Sequence, residues 1–229
     1  MRAKDGLKQL LLEFSIEPES DPGLKLQTYL SLLEKWNPRV NLTSNLAWTA
    51  LEPLFREGLW AAAKYPVDYR VHLDIGSGAG FPAIILRVFN NVELELVESR
   101  GKKGAFLETV AWELGLAGTR VHVLRLEDLL ATREPGKKIW DCVSWKAIRL
   151  VSRDLLRLRE YVSENARVWM FHGKEAAVEN IRTFNANFIL VDRHPVPGQN
   201  ESFLSIYRIP NVSRETISSD TELNDNSLQ

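Results

Sequence analysis

Asp74-Ile75-Gly76-Ser77-Gly78-Ala79-Gly80 is the stretch on which the reading of this chain turns. A short β-type run, Arg70-Val71-His72-Leu73, leads into it, and Pro82 to Phe89 (PAIILRVF) leaves it with helical character. A chain that passes from strand to helix through three glycines needs them where a Cβ would clash, or where backbone must approach a ligand. A phosphate-binding loop of the Walker type needs Lys and Ser/Thr after its last glycine, and Phe81-Pro82 stand there instead, which excludes it. A dinucleotide fingerprint reads G-x-G-x-x-G, whereas the spacing here is G-x-G-x-G with Phe81 at the third expected glycine, which weakens that reading. On the glycines alone, a structural turn that binds nothing stays open.

Outward from the loop, the periodicity predicts alternating strands and helices. VELELVE (from Val92) is a strand, and GKKGAFLETVAWELGL (from Gly101) is a helix ended by Gly115 or Gly118. RVHVLRL (from Arg120) and IWDCVSW (from Ile139) are strands separated by the polar turn REPGKK. IRLVSRDLLRLREYV (from Ile148) is a helix, ARVWMFHG (from Ala166) a strand, and EAAVENIRTFN (from Glu175) a helix. NFILVDRH and SFLSIYRIP close the pattern as two strands joined by the loop PVPGQNE. Such alternation predicts an α/β fold with a mostly parallel sheet and helices on both faces. The final pair, joined without a helix, predicts an antiparallel hairpin at the sheet edge.

Residues 1–65 predict three helices. Asp21-Pro22 offers an N-cap and a first-position proline. Leu26, Tyr29, Leu30, Leu33 and Trp36 recur at helical spacing, and the turn-rich Asn37–Asn45 ends that helix. Thr49 with Glu52 forms a candidate capping box ahead of the next one. The expected division is a helical cap over 1–65, an α/β domain over 66–210, and a polar, acidic, disordered tail over 211–229.

Composition narrows the function. At 229 residues the chain suits one α/β domain with an appendage. A net charge of −1 excludes a polybasic mode of nucleic-acid binding, but not a local basic patch. One cysteine permits no intramolecular disulfide and fits a reducing compartment. No apolar run reaches the roughly 20 residues that span a bilayer. The N-terminal stretch reads as an amphipathic helix, so the expected location is the cytoplasm. His72, His122, His172 and His194 show no metal-ligand spacing, so no metal is expected. Cys142 lies in an apolar strand and reads as a packed thiol.

In its predicted context, acid-x-G-x-G-x-G resembles motif I of the S-adenosylmethionine-dependent methyltransferases. Asp74 would then supply negative charge near a cationic amine and sulfonium. Glu98, 24 residues on at the end of the second strand, would accept the ribose hydroxyls. The chain more specifically resembles the GidB-type 16S ribosomal RNA small-subunit methyltransferase G family, from about Leu24 to Ile209. The anchors are KWNPRVNLTS (from Lys35), LDIGSGAGFPAIILR (from Leu73), ESRGKKGAFLE (from Glu98) and RLEDL (from Arg125).

That resemblance implies a class I, Rossmann-like fold with a seven-stranded sheet and S-adenosylmethionine as cofactor. It implies methyl transfer to a guanine N7 of 16S rRNA, on naked RNA or on the assembled 30S particle. Cofactor contacts are implied at Gly76, Gly78 and Phe81, at Leu126-Glu127 near the adenine, and at Lys146, where the family has arginine. Where the family has a His and an Asp-Ser, this chain has Arg56-Glu57-Gly58-Leu59-Trp60-Ala61, and Phe171-His172-Gly173 replaces a Leu-Lys-Gly. These departures keep open another RNA or a small molecule as acceptor, or a non-catalytic cofactor-binding relative. Oligomeric state stays open too.

Guanine N7 has an in-plane lone pair and no proton to lose, so no general base is named. RNA contact is expected at Arg39, at Arg100, Lys102 and Lys103, and along a stripe of Arg149, Arg153 and Arg157. Trp36, Trp60 and Trp145 are candidate stacking residues, with Trp36 better placed for core.

Overall fold

In the computed structural model, which describes residues 2–148, 150, 152–173 and 188–209, the change of periodicity near Tyr69 marks the passage from helices to sheet. Three helices come first: α1 (Ala3–Glu13), α2 (Asp21–Val40) and α3 (Trp48–Lys64). The alternating part runs β1 (Val71–Ile75), α4 (Ala83–Phe89), β2 (Glu93–Val97), α5 (Gly101–Glu113), β3 (Thr119–His122), α6 (Leu126–Ala131), β4 (Trp140–Lys146), α7 (Ser152–Leu158) and β5 (Val162–Gly173). The strands β6 (Ile189–Pro195) and β7 (Ser202–Arg208) follow.

The seven strands form one sheet in the order β3-β2-β1-β4-β5-β7-β6. β3, β2, β1, β4 and β5 pair in parallel, and β7 pairs antiparallel with both β5 and β6. The chain winds outward from β1 through β2 to β3, then returns to β4 on the other side of β1. A crevice opens where that order reverses, at the carboxyl ends of β1 and β4.

One apolar cluster joins Leu7, Leu30, Leu51 and Phe55 of the N-terminal helices to Ile84 of α4, Phe106 of α5 and Leu94 of β2. The amphipathic helices therefore bury their stripes directly on the α4 and α5 side of the sheet. A second cluster covers the opposite face, where Leu129, Leu130 and Leu155 from α6 and α7 meet Leu73, Val143 and Val168.

Several local expectations shift. The N-cap of α2 is Ser20, whose hydroxyl accepts from the Gly23 amide, so Asp21 and Pro22 are its first two helical residues. That helix runs on through Pro38 to Val40. Its end is set by Asn41 at φ 54° and by Asn37, whose side chain accepts from the Thr43 amide at 2.8 Å. Arg39 thus lies in the last turn of α2, not in a loop. No Thr49–Glu52 capping box forms, because α3 begins at Trp48 with Ala47, two residues before Thr49, as its N-cap, and the Ala47 amide is held by Asn45 Oδ1.

The strand expected over Arg120–Leu126 stops at His122, and α6 takes over after Arg125 in extended conformation. Six residues, with Leu126, Leu129 and Leu130 buried, are too few for periodicity to reveal as a helix. α7 is shorter than its pattern, because the Ile139 and Trp140 amides both donate to the Tyr161 carbonyl and Val162 joins the ladder opposite Trp140. The helix expected after Gly173 and the tail over 211–229 lie outside the described residues.

Candidate functional site

The glycine loop leaves β1 and crosses over β2. The amides of Gly76 and Ser77 both donate to the Val97 carbonyl, at 2.8 and 3.1 Å, so the loop is anchored to the neighbouring strand end. Gly76 has φ 69°, and a Cβ there would stand 2.8 Å from Ile148 Cγ2, in the segment that follows β4. Gly78 has φ 58°, and a Cβ there would meet only the Gly76 carbonyl of its own loop, at 3.7 Å.

Glu98 stands just past β2 and is 7% exposed. Its Oε2 accepts from the Gly78 amide at 2.9 Å and its Oε1 from the Arg100 amide at 2.8 Å. The carboxylate therefore shapes the loop before any ligand arrives. A carboxylate offers about four acceptor positions, so hydroxyl donors can still be received beside the two amides.

Asp74 lies beneath the loop, 2% exposed. β1 and β4 pair Asp74 with Ser144 and His72 with Cys142, which places His72, Ser144 and Asp74 on one face. Ser144 Oγ donates to Asp74 Oδ1 at 2.6 Å, and His72 Nε2 lies 2.8 Å from the same Oγ. Burial pushes the Asp74 carboxyl up to about 7, the nearby Glu98 charge adds to this, and the Ser144 and Ser77 hydrogen bonds oppose it. Burial also lowers the His72 imidazole to about 3, so that ring is neutral. With a neutral imidazole and an ionised Asp74, the hydrogens run from Nε2 to Oγ to Oδ1.

The loop's other support comes from the N-terminal helices. The Tyr29 hydroxyl donates to the Ala79 carbonyl at 2.6 Å. Its ring packs against Phe81, centroids 5.2 Å apart, and against Phe55 at 5.8 Å. Phe81 is buried, so it backs the loop with its ring inside the core rather than in the crevice.

Lys146 ends β4 and forms an ion pair with Glu57 of α3. The Glu57 side chain is almost fully buried, whereas that of Lys146 is 26% exposed. Leu126 and Glu127 open α6 past the end of β3, Leu126 buried and Glu127 partly exposed beside Arg125. Asp74, Gly76, Gly78 and Glu98 thus converge at one strand-end crevice, with Lys146 beyond β1 on one side and the Leu126-Glu127 pair beyond β2 on the other.

Of the candidate RNA-contacting residues, Arg39, Arg100, Lys102 and Arg153 are exposed, and Lys103 and Arg157 partly so. Arg149 lies outside the described residues. Trp145 cannot stack a base, since it is buried at 3% in the second cluster. Trp36 packs on Phe106 at the core edge, and Trp60 sits between His194 and Lys64. The sequence pattern held no sign of the Tyr29–Ala79 bond, the Ser144–Asp74 bond or the Glu57–Lys146 pair, because each partner lies dozens of residues away. Cys142 is fully buried, with its thiol pushed well above the ordinary range by burial. Among the described residues, no group of three His, Cys, Asp or Glu side chains is placed to hold a metal, and no helix is long and apolar enough to cross a membrane.

Comparison with known proteins gives the fold and the family. Solved structures of similar fold include a ribosomal protein L11 methylase from Lactobacillus delbrueckii subsp. bulgaricus, with a TM-score of 0.55 at 12% identity over 67% of this chain and 76% of that one. Another is the putative methyltransferase yhhF from Escherichia coli, with a TM-score of 0.55 at 17% identity over 69% of this chain and 86% of that one. At these identities they establish the fold, that of the class I methyltransferases.

Sequence relatives are nearer. A ribosomal RNA small subunit methyltransferase G of Rhodospirillum centenum is 33% identical over 172 residues, 75% of this chain and 76% of that protein. The protein of the same name from Rhodospirillum rubrum is 43% identical over 110 residues, 46% of this chain and about half of that protein, 52%. The model of the GidB family, described as rRNA small subunit methyltransferase G, matches residues 24–196. By its sequence, the chain belongs to the GidB family.

Proposed function

We propose that the protein transfers the methyl group of S-adenosylmethionine to N7 of a guanine in small-subunit ribosomal RNA. The observation that carries the proposal is the glycine loop at the ends of β1 and β2, with Gly76 and Gly78 at positive φ and two carboxylates, Asp74 and Glu98, beside it. Family membership gives the acceptor class. The donor set suits the cofactor: an acid for a cationic amino-acid moiety, a strand-end carboxylate for vicinal hydroxyls, and glycines with no side chain to bar close approach.

When bound, S-adenosylmethionine supplies a methyl on a positively charged sulfur. Transfer to N7 breaks the S–CH3 bond and forms an N–CH3 bond, and no proton leaves. The protein's task is then alignment, and well-oriented reactants contribute on the order of 7–11 kcal/mol through proximity. Asp74 and Glu98 hold the donor side. Lys146 stands on the acceptor side, and Glu57 neutralises it, so the cleft presents no net positive charge from this pair to a purine that becomes cationic. A bare ammonium at that place would oppose the charge moving onto the base.

The ion pair at Glu57 and Lys146 is also what favours testing a second acceptor class, another RNA or a small molecule. Purified protein and labelled cofactor should be incubated with 16S RNA, with small subunits from a strain lacking this gene, with other cellular RNA, and with a metabolite extract. Label in N7-methylguanosine from small-subunit RNA is the expected result. Label confined to the metabolites, or to RNA outside the small subunit, would replace the acceptor. Binding of the cofactor without product on any of them would mark a non-catalytic relative.

A further inference from the structure

Past Lys146, the end of β5 carries a residue turned to the opposite face of the sheet. The last ladder pair between β4 and β5 is Lys146 with Phe171, so His172 stands one residue further out, level with exposed Ala147. On its other side His172 pairs with Phe203 of β7, and Phe203 pairs in turn with Pro195 of β6. Alternation puts His172, Phe203 and, two residues before Pro195, Arg193 on one face. They form a three-layer stack. The imidazole and phenyl centroids are 5.9 Å apart at 28°, and the Arg193 guanidinium carbon lies 4.0 Å from the Phe203 centroid. Arg193 is exposed and the two rings are partly exposed.

Both nitrogens of His172 are already committed. Nδ1 lies 2.9 Å from the Gly173 carbonyl, which can only accept, so Nδ1 carries the hydrogen. Nε2 then accepts from the hydroxyl of buried Ser205, at 2.8 Å. Burial lowers the imidazole below its ordinary value, with Arg193 adding to the effect, which keeps the ring neutral. Such a ring is not available to move protons or to donate to a phosphate. What it offers is a flat, partly exposed ring, held in place by these bonds and by Phe203. A preset aromatic face loses little freedom when a second ring lies on it.

We infer that His172, backed by Phe203 and Arg193, is a stacking platform for an unpaired nucleobase of the RNA acceptor, at the strand-end edge that carries Lys146 but on the opposite face of the sheet. The inference rests on the proposed RNA acceptor and adds where that RNA is gripped. Stacking on an aromatic face tolerates any base and is a common way of holding single strands.

The test compares H172L, H172F and F203L with the unaltered protein. The readouts are anisotropy of a labelled, purine-rich single-stranded RNA and steady-state kinetics on the small subunit. H172L and F203L should weaken RNA binding about 10-fold, within the range found for single stacked bases. They should raise KM for the RNA and leave KM for S-adenosylmethionine unchanged. H172F keeps the face without the nitrogens and should bind RNA within about twofold of the original, as expected for sequence-tolerant stacking. Unaltered RNA binding by folded H172L and F203L would overturn the platform. So would equal loss in H172F and H172L, since the nitrogens would then be what counts. The unaltered protein's own activity on the small subunit tests the acceptor separately. If it methylates that RNA while H172L binds normally, only the platform fails.

Discussion

The hydroxyl of Tyr29 in α2 donates to the carbonyl of Ala79 in the glycine loop at 2.6 Å, across 50 residues of sequence. The ring is fully buried against Phe55, Phe81 and Phe106. Burial, with Asp74 nearby, keeps the phenol well above its ordinary range, so it remains a donor. The N-terminal helices therefore help set the shape of the crevice, and the cofactor pocket is not the work of the sheet alone.

Tyr29→Phe removes that hydrogen bond and keeps the ring. Stability should fall by about 1 kcal/mol, the usual net worth of one such bond, with the Ala79 carbonyl near enough to the crevice to find water. Affinity for S-adenosylmethionine should fall several-fold while kcat at saturation changes little. Thermal melts and calorimetric titration of the variant check both halves.

Cofactor affinity should depend on pH through Asp74, whose carboxyl lies at about 7. Below that value the group is neutral and offers less to a cationic ligand, so affinity should rise with pH and level off above it. Around neutrality, binding should release a proton, seen as a heat that varies with the buffer's ionisation enthalpy. Ser144→Ala removes a bond that lowers this pKa, and should move the midpoint to higher pH.

The same group carries a stability consequence of opposite sense. Its folded value of about 7 stands above the ordinary 3.8, so the folded protein keeps a proton that the unfolded chain loses between those values. Asp74's contribution to stability is full below about pH 4 and is lost as pH rises through 7. Asp74→Asn should therefore raise the melting temperature of ligand-free protein more at pH 8.5 than at pH 4, while weakening cofactor binding. Paired melts at the two pH values check it.

The Glu57–Lys146 pair should be asymmetric to mutation. Lys146→Met leaves an almost fully buried carboxylate without its cation, whereas Glu57→Gln leaves an ammonium that reaches water. The first should cost more, approaching the ~3–5 kcal/mol of broken buried pairs, and the double variant should recover part of it. Denaturant unfolding of the three variants measures the coupling.

The alternation of strands and helices was legible because glycine clusters and changes of period are local signals. Strand-end positions such as Glu98 followed from the same spacing. What stayed hidden was long-range or short. Ser144 acquires its role only through the β1–β4 register, and Tyr29 only through the packing of α2 over the loop. α6 is six residues long, and Val162 was drawn into β5 by pairing with Trp140. Trp145 looked free to stack because an apolar strand does not say which of its faces is covered.

The crevice itself is tested most directly by titrating S-adenosylmethionine, and separately its demethylated product, into the folded protein in a calorimeter. One equivalent of each should bind, and Gly78→Val, which puts a β-branched side chain at a positive φ in the loop, should abolish both heats. Absence of any uptake by protein whose melting curve shows it to be folded would contradict the account at its root.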